Sequence, residues 1–295
     1  MKCAMVVLNY RDSERAIKLT KRVEEFNTVN HIVIVDNNSQ DGSYERLLQY
    51  ESDKIKVIKS DKNGGFAAGN NIGAKYVVEN YHPDFLFFAN TDTIFEEHNI
   101  LKCIEVLNDD STLGLVSTRM YGPDDIEQKA SYQYPTYRSL VKGLFYINRK
   151  KWYNSMVKTI ADDKVYRSIE RVDYIRGSFM FFKAQALEKA GYFDEHTFLY
   201  FEEPIICKRL NKVGYEVGLI TDMYYIHDHL EADTNKNAKA IQRYNESMYY
   251  FCKEYLDISK FDCIYMKVAM WYSAIEIEFV EVLKKLLKKN KYKID

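Results

Sequence analysis

The first 120 residues alternate between short apolar runs and segments with helical periodicity, and this alternation restricts the chain to few folds. Apolar strands that alternate with helices predict βαβ units, in which helices cover both faces of a parallel sheet. The predicted strands are Ala4–Leu8, Ile32–Val35, Ile55–Ile58, Phe85–Ala89 and Leu113–Val116. The predicted helices are Ser13–Phe26, Ser43–Tyr50, Ala67–Glu79 and Glu96–Leu107.

The alternation is interrupted in the middle of the chain and resumes later. Residues 130–170 hold few clear strands and are rich in Tyr, Lys and Arg, which indicates an inserted lobe. A strand is predicted at Val172–Lys183 and a helix at Ala184–Ala190. The chain has no Gly after Gly218 and no Pro after Pro204. With these breakers absent, the tail from about residue 236 is predicted to form long helices.

Composition excludes several classes of protein. The 42 Lys and Arg nearly balance the 43 Asp and Glu, which argues against a nucleic-acid partner. The five scattered Cys and the missing C-x-x-C motif suggest reduced thiols in a cytoplasmic protein. The N-terminus shows no secretory apolar region, and Lys267 and Glu276 interrupt the longest apolar stretch. We therefore expect neither a signal peptide nor a membrane-spanning helix.

Polar residues follow four of the predicted strands. These junctions are Asn9-Tyr10, Asp36-Asn37-Asn38, Asn63-Gly64-Gly65 and Asn90-Thr91-Asp92. Ligands of such sheets bind outside the carboxyl ends of the strands, although turns use the same residue types. Four polar junctions at one edge favour a polar ligand over four unrelated turns.

Two of these junctions suit a nucleotide. The Asp36 carboxylate can accept a hydrogen bond from a ribose hydroxyl or from the imide N–H of uracil or thymine, and it can equally cap the next helix. Residues 63–73 contain four of the twelve Gly. Glycine lets backbone approach a ligand, or lets a helix pack closely on a sheet. The pattern is not the G-x-G-x-x-G dinucleotide fingerprint.

Four acidic or imidazole side chains could carry chemistry. Asp92 can bind a hard divalent cation that neutralises a diphosphate. Pro204 favours the first position of a helix, which predicts Glu203 as the N-cap and as a rigid general base, or as an ordinary cap. His227 and His229 are metal-ligand candidates or surface histidines.

Seven motifs, taken together and in order along the chain, resemble those of glycosyltransferase family 2. They are VVLNY, VDNNSQDGS, NGGFAAGNNIG, FFANTDT, RGSFMFFKAQALEKAGYFDE, FLYFEEPIICKR and HDH. The similarity is to bacterial rhamnosyltransferase-like enzymes that build cell-surface polysaccharide. It covers residues 3–235 and implies an α/β GT-A fold over residues 1–235. This fold would comprise a nucleotide-binding half (1–120), an inserted lobe (130–170) and an acceptor half (171–235). A helical C-terminal extension (236–295) would follow.

The resemblance also implies an inverting transfer from a UDP- or dTDP-sugar to a saccharide or lipid-linked acceptor. Asp92 would bind Mn²⁺ or Mg²⁺ with His227, or with His229 as second choice. Glu203 would be the base, although Glu202 stays an alternative because the family has a Glu-Asp pair here. Asn90 also departs from the family's Asp-x-Asp pattern. The residues implied at the donor nucleotide are Asn9, Asp36, Asn38, Gly65, Asn70, Asn90 and Thr91.

Three other functions are alternatives to sugar transfer: a nucleotidyltransferase, a dehydrogenase and a non-enzyme. A nucleotidyltransferase or dehydrogenase expects a glycine-rich loop after the first strand, and LNYRDSERA has no Gly. A degenerate relative that binds a nucleotide sugar or acts as a scaffold is the non-enzyme alternative. The basic segment at 281–293 would lie on an anionic membrane as a peripheral contact, or form a solvated helix end or a homo-oligomer contact.

Overall fold

The computed structural model of the 295-residue chain describes residues 1–145, 168–228 and 238–291. The chain divides into two compact units. One comprises Met1–Tyr134 and Asp163–Ala232, and the other Pro135–Asp162 and Asp233–Asp295. Most of the expected inserted lobe is thus grouped with the C-terminal helices. None of the helices in the described ranges has the length and hydropathy of a membrane-spanning segment.

Twelve strands and nine helices are described. The strands are β1 Cys3–Asn9, β2 His31–Asp36, β3 Ile55–Lys59, β4 Phe85–Ala89, β5 Thr93–Ile94, β6 Leu113–Tyr121, β7 Glu127–Gln128, β8 Ser131–Tyr132, β9 Ile169–Val172, β10 Tyr174–Ile175, β11 Phe179–Lys183 and β12 Glu216–His227. The helices are α1 Ser13–Glu24, α2 Ser43–Leu48, α3 Gly65–Tyr81, α4 Glu97–Asp109, α5 Tyr137–Leu144, α6 Ala184–Ala190, α7 Glu202–Lys212, α8 Ala238–Tyr255 and α9 Lys260–Lys291.

The first unit is built on a mixed sheet with the strand order β3-β2-β1-β4-β11-β6-β12-β5. The four strands from β3 to β4 are parallel, as the alternation predicts, and β6 and β12 are parallel as well. The central strand β11 is antiparallel to both β4 and β6. The parallel arrangement predicted for the strands of the first 120 residues is therefore confirmed, and β11, which comes later in the chain, makes the whole sheet mixed.

Helices pack on both faces of this sheet. On one face, α1 packs on β1 and β2, and α4 packs on β6 and β12, which buries residues such as Leu19 and Ile100. On the other face, α3, α6 and α7 bury residues such as Val77, Leu187 and Ile206. Because both faces are covered, the only parts of the parallel strands open to a ligand are their ends.

The predicted strand Val172–Lys183 is wrong as a single element. Residues 174–175 leave the main sheet to pair with β8, and Arg176-Gly177-Ser178 then turns the chain back into β11. One continuous strand could not pair with β8 and also enter the gap between β4 and β6. The resulting turn supplies part of the site described below.

The second unit contains α5, α8 and α9, so the predicted helical C-terminal region is confirmed. Ser273 of α9 donates to the Leu144 carbonyl of α5 at 2.7 Å, and Met266 of α9 is fully buried. Phe251 on α8 is also fully buried. One face of α9 therefore packs within this unit.

Candidate active site

The ends of β1 and β2 form a buried polar network. Asn9 Nδ2 donates to Asp36 Oδ1 at 2.7 Å, and Ser39 N donates to Asp36 Oδ2 at 3.1 Å. Asn9 and Asp36 are 0% and 1% exposed. Asn38 is half-buried with a positive φ of 55° and donates to the Asp61 carbonyl at 3.1 Å. The buried Asp36 carboxylate thus holds together the end of β1 and the loop after β2.

The glycines of the glycine-rich segment let α3 pack closely on the Phe198 backbone and on β1. A Cβ on Gly65, whose φ is +86°, would lie 2.0 Å from the Phe198 carbonyl oxygen. A Cβ on Gly69 would lie 2.4 Å from Leu8 Cδ1 on β1. Asn70 is buried and donates to the Phe66 carbonyl within the helix at 3.0 Å. The glycines therefore have the packing role weighed above as the alternative to ligand binding.

The turn after β4 meets the end of β12. The imidazole Nε2 of His227 lies 3.2 Å from Asp92 Oδ1, and Asp228 N donates to the Asp92 carbonyl at 2.7 Å. Thr91 Oγ1 donates to Asp12 Oδ2 at 2.7 Å. The two residues are 135 positions apart in the sequence, and the structure brings them together as the resemblance implies. His229 lies outside the described residues.

The Asp92–His227 pair has a geometry compatible with a divalent cation. Two neighbouring ligands of an octahedral ion at about 2.1 Å are about 3 Å apart, close to the observed 3.2 Å. Within the described ranges, no group of three or more His, Cys, Asp and Glu side chains could hold a metal. The protein can supply two adjacent ligands here, and the remaining positions would be left to substrate or water.

Helix α7 carries the two adjacent glutamates. It begins at Glu202, with Phe201 as the N-cap in the left-handed region at φ 67°. The prediction that Glu203 is the N-cap is therefore wrong, because proline is tolerated throughout the first turn, where backbone N–H groups have no helical partner. Tyr200 also has a positive φ of 73°. Two consecutive left-handed residues are costly and direct the chain sharply into the helix.

The Arg176-Gly177-Ser178 turn connects Glu203 to the turn after β4. Gly177 N donates to Glu203 Oε1 at 3.1 Å, and Asn90 N donates to the Ser178 carbonyl at 2.9 Å. A Cβ on Gly177 would lie only 3.0 Å from Glu203 Oε1. Sequence reasoning missed Gly177, because the RGS segment was read as part of a strand. Three residues therefore link the carboxylate to the Asn-Thr-Asp turn.

The two glutamates differ in their electrostatics. Burial raises the pKa of Glu202 well above its usual range, and the neighbouring charge of Glu203 raises it further. Burial also raises the pKa of Glu203, but hydrogen bonds from backbone N–H groups and the charge of Arg176 oppose the rise. Glu202 is 5% exposed, whereas Glu203 is half-buried. Of the pair, Glu203 is the one beside a positive charge, that of Arg176, which favours its ionised form although burial still raises its pKa.

A cleft of about 330 Å³ borders the Asp92 turn. Its lining includes Arg15, Lys18 and Arg22, which lie on one face of α1, together with Asp92 and Asp228. Sequence reasoning did not single out these cations, although their i, i+3, i+7 spacing was available as a signal. The cleft places three positive side chains beside the candidate metal ligands, which suits an anionic group of a substrate.

Several curated proteins that are similar to this chain are named as sugar transferases. A low-salt glycan biosynthesis hexosyltransferase from Haloferax volcanii is 24% identical over 226 residues, covering 76% of this chain and 66% of the relative. Rhamnosyltransferase WbbL from Escherichia coli is 28% identical over 170 residues, covering 55% and 60%. An N-acetylglucosaminyl-diphospho-decaprenol L-rhamnosyltransferase from Mycobacterium tuberculosis is 20% identical over 229 residues, covering 75% and 73%. The chain therefore spans less than two thirds of the length of the first two relatives, 66% and 60%.

Solved structures share the fold. A mannosyltransferase from Pyrobaculum calidifontis, in complex with GDP-Man and Mn²⁺, matches with a TM-score of 0.57 at 14% identity, covering 99% of this chain and 79% of that one. Residues 1–349 of TarS from S. aureus match with a TM-score of 0.55 at 13% identity, covering 94% and 72%. These likenesses confirm the expected α/β GT-A fold with a helical C-terminal region.

The family assignment follows from the sequence profile. The profile described as "Glycosyl transferase family 2" matches residues 6–189, more than half of the chain. That range contains the β1, β2 and β4 junctions and the Arg176-Gly177-Ser178 turn. The match confirms the resemblance found in the motifs: the chain belongs to glycosyltransferase family 2.

Proposed function

We propose that the protein is an inverting glycosyltransferase that moves a sugar from a UDP- or dTDP-sugar to a saccharide or lipid-linked acceptor in surface polysaccharide synthesis. The observation that carries the proposal is the link between Glu203 and the Asn-Thr-Asp turn. Gly177 N–H holds the carboxylate, and the Ser178 carbonyl holds Asn90 two residues before Asp92. A base and a diphosphate-binding turn would then lie on the two sides of one donor sugar.

Glu203 is proposed as the general base. It would accept the proton from the acceptor hydroxyl as that oxygen attacks the anomeric carbon from the face opposite the diphosphate. No covalent intermediate is needed, so the configuration at that carbon is inverted. Glu202 is the weaker candidate because its buried, pKa-raised carboxyl group holds its proton more tightly.

Asp92 and His227 are proposed as the ligands of Mn²⁺ or Mg²⁺, and their 3.2 Å separation supports this assignment. When bound, such a cation would stabilise the negative charge of the leaving diphosphate. Arg15, Lys18 and Arg22 border the same turn. Their positive charges would favour the same leaving group electrostatically. His229 stays a prediction as an alternative ligand.

The donor nucleotide is proposed to bind at the ends of β1 and β2. Asn9, Asp36, Asn38, Asn90 and Thr91 would border it, with Gly65 and Asn70 supporting it from α3. Asp36 is buried, and its carboxylate accepts hydrogen bonds from Asn9 and Ser39. It would therefore support the nucleotide indirectly, by holding the loop after β2 in position. The preference for uridine or thymidine stays a prediction.

The acceptor class rests on the relatives. One of them is named for a diphospho-decaprenol acceptor, and this supports a lipid-linked acceptor here. A cytoplasmic location, a homo-oligomer and a membrane contact through the C-terminal helices stay predictions, as does the domain boundary at residue 235. The non-enzyme alternative is a degenerate relative that binds a nucleotide sugar without turning it over.

The proposal is tested by nucleotide release. The full chain is mixed with UDP- and dTDP-sugars and Mn²⁺, with and without acceptor lipids, and free nucleotide and transferred sugar are measured. We expect Glu203→Gln to lose about 100-fold or more of kcat, because general-base catalysis supplies about that factor. Glu188→Gln, an exposed change on α6, is the matched control and retains activity.

Different outcomes test the base assignment, the metal assignment and the enzymatic activity separately. Full transfer by Glu203→Gln removes the base assignment, and full activity of the wild type in EDTA removes the metal assignment. Asp92→Ala is expected to abolish the response to divalent cations. Donor binding without turnover, even with acceptor lipids present, supports the degenerate relative instead.

A further inference from the structure

One face of α9 is apolar and exposed to solvent. Its residues recur at helical spacing over about five turns, and the apolar side chains are 46–84% exposed. They are Phe261, Ile264, Val268, Trp271, Ile275 and Phe279. Tyr265 and Tyr272 flank them at 52% and 51% exposure. We call these eight residues the α9 stripe.

The stripe is large for an exposed surface. At roughly 200 Å² for each large side chain, these exposures leave about 1,000 Å² of mostly apolar surface, whereas the largest patch on a typical monomer is about 300–600 Å². The opposite face of the helix is already occupied, since Met266, Ala269 and Ser273 are buried within the second unit. The stripe is therefore a surface that the unit itself leaves uncovered.

The shape of the stripe distinguishes two kinds of occupant. At 100° per residue it extends about 120° around the helix, from Trp271 to Tyr265. A coiled-coil partner needs a narrower seam of apolar residues at heptad spacing over three or more heptads. Residues 261, 264, 268, 271 and 275 begin such a seam, but Glu278 occupies the next position. The pattern fits a broad surface better than a second copy of the helix.

The chemistry of the stripe favours a lipid surface. Five of its eight residues are aromatic, and Trp and Tyr are enriched where a protein meets the membrane–water boundary. Six lysines and no acidic residue occupy positions 284–293, which follow the stripe after a four-residue interval that contains Glu281. An amphipathic helix with aromatic residues on one face and nearby lysines binds in the plane of an anionic bilayer.

We propose that α9 binds the surface of an anionic lipid bilayer through the α9 stripe, with the positive charge of the lysine-rich sequence after it adding electrostatic attraction to the headgroups. The helix would lie in the plane of the membrane and not cross it. This inference stands on α9 alone and does not require the transferase activity proposed above. For a lipid-linked acceptor, it would hold the protein at the surface where that acceptor is found.

The test uses the full chain and vesicle sedimentation. Vesicles of phosphatidylcholine alone are compared with vesicles that also contain phosphatidylglycerol. We expect sedimentation with the anionic vesicles, at least tenfold weaker binding to the neutral ones, and a loss of binding at high salt. Ile264→Asp/Val268→Asp should weaken anionic binding at least tenfold. Leu101→Asp on α4, at a residue that is 52% exposed, is the matched control and should bind as wild type does.

A second measurement does not depend on a charge-introducing variant. Trp152→Phe leaves Trp271 as the sole tryptophan, and its emission should shift to the blue and be quenched by brominated lipid on anionic vesicles. The inference is overturned if the wild type stays in the supernatant with both vesicle types, or if Trp271 is not quenched. A dimer of the lipid-free chain would also overturn the inference under two conditions: the double variant makes it a monomer, and sedimentation with vesicles stays unchanged. In that case a second copy of the chain covers the stripe.

Discussion

Gly177→Ala isolates the position of the Glu203 carboxylate. Gly177 does not lie in the left-handed region, so alanine adds no backbone strain. The new Cβ would lie 3.0 Å from Glu203 Oε1, 3.2 Å from Cγ and 3.3 Å from Cδ. Comfortable contact begins at about 3.5 Å, so the carboxylate must move by about 0.5 Å and its bond to Gly177 N–H must lengthen.

A displacement of this size has a calculable cost. A misplacement of about 1 Å can cost about 100-fold in rate, so about 0.5 Å is expected to lower kcat about tenfold, or about 1.4 kcal/mol. KM for the donor should change little, because Gly177 touches the base and not the proposed nucleotide site. The unfolding free energy should change by less than about 1 kcal/mol, since Gly→Ala also stabilises through the unfolded chain.

Gly218→Ala in β12 is the matched control. Its Cβ would lie 3.1 Å from Leu113 Cδ2 and 3.3 Å from Ile169 Cγ2, so the steric demand is similar but falls on aliphatic side chains. Steady-state nucleotide release gives kcat and KM for both variants, and urea denaturation gives their stability. The reasoning is refuted if Gly177→Ala keeps wild-type kcat, or if Gly218→Ala loses as much kcat as Gly177→Ala does.

Three further predictions concern the two glutamates of α7 and Gly65 of α3. First, because burial raises the pKa of Glu203, kcat should rise with pH through a pKa above the ordinary glutamate value of about 4.3; a profile flat down to that value contradicts this. Second, the raised pKa of Glu202 means that the folded state binds more protons than the unfolded state, so stability falls as pH rises through that window. Glu202→Gln should therefore be more stable than wild type in urea at neutral pH and equal to it in acid, and equal stability at both pH values argues against the assignment. Third, Gly65→Ala should lose about 3 kcal/mol or more of unfolding free energy, since its Cβ would meet the Phe198 backbone. Gly191→Ala, also at positive φ but with open space around it, should lose only about 1 kcal/mol, and equal losses would refute the contact argument.

The local signals in the sequence were sufficient for the regular elements near the N-terminus. Strands β1 to β4 and helices α1 to α4 lie where the apolar runs and helical periodicity predict them, because burial on both faces leaves a clear pattern. The polar junctions after β1, β2 and β4 could also be assigned to one edge of the sheet. That edge follows from parallel topology alone.

The arrangement around Glu203 depends on contacts that no local pattern encodes. Phe201 caps α7 from the left-handed region, a conformation rarely expected of phenylalanine. Gly177 reaches Glu203 across 26 positions, within a segment whose apolar composition suggested uninterrupted strand. Asn71 likewise bonds to the Phe193 backbone N–H and carbonyl, 122 positions away. Tertiary packing determines this backbone conformation and these long-range contacts, so only the structure reveals them.

The position of β11 affects the order in which this protein can be assembled. Residues 179–183 complete the sheet between β4 and β6, which are both made much earlier on the ribosome. Until residue 183 has emerged, two strands of the central sheet each present an unpaired edge, and unpaired edges invite aggregation. The nucleotide-binding half is thus not a module that can close by itself. A truncation before β11 should therefore yield an aggregation-prone fragment, although it retains every residue up to the Asn-Thr-Asp turn.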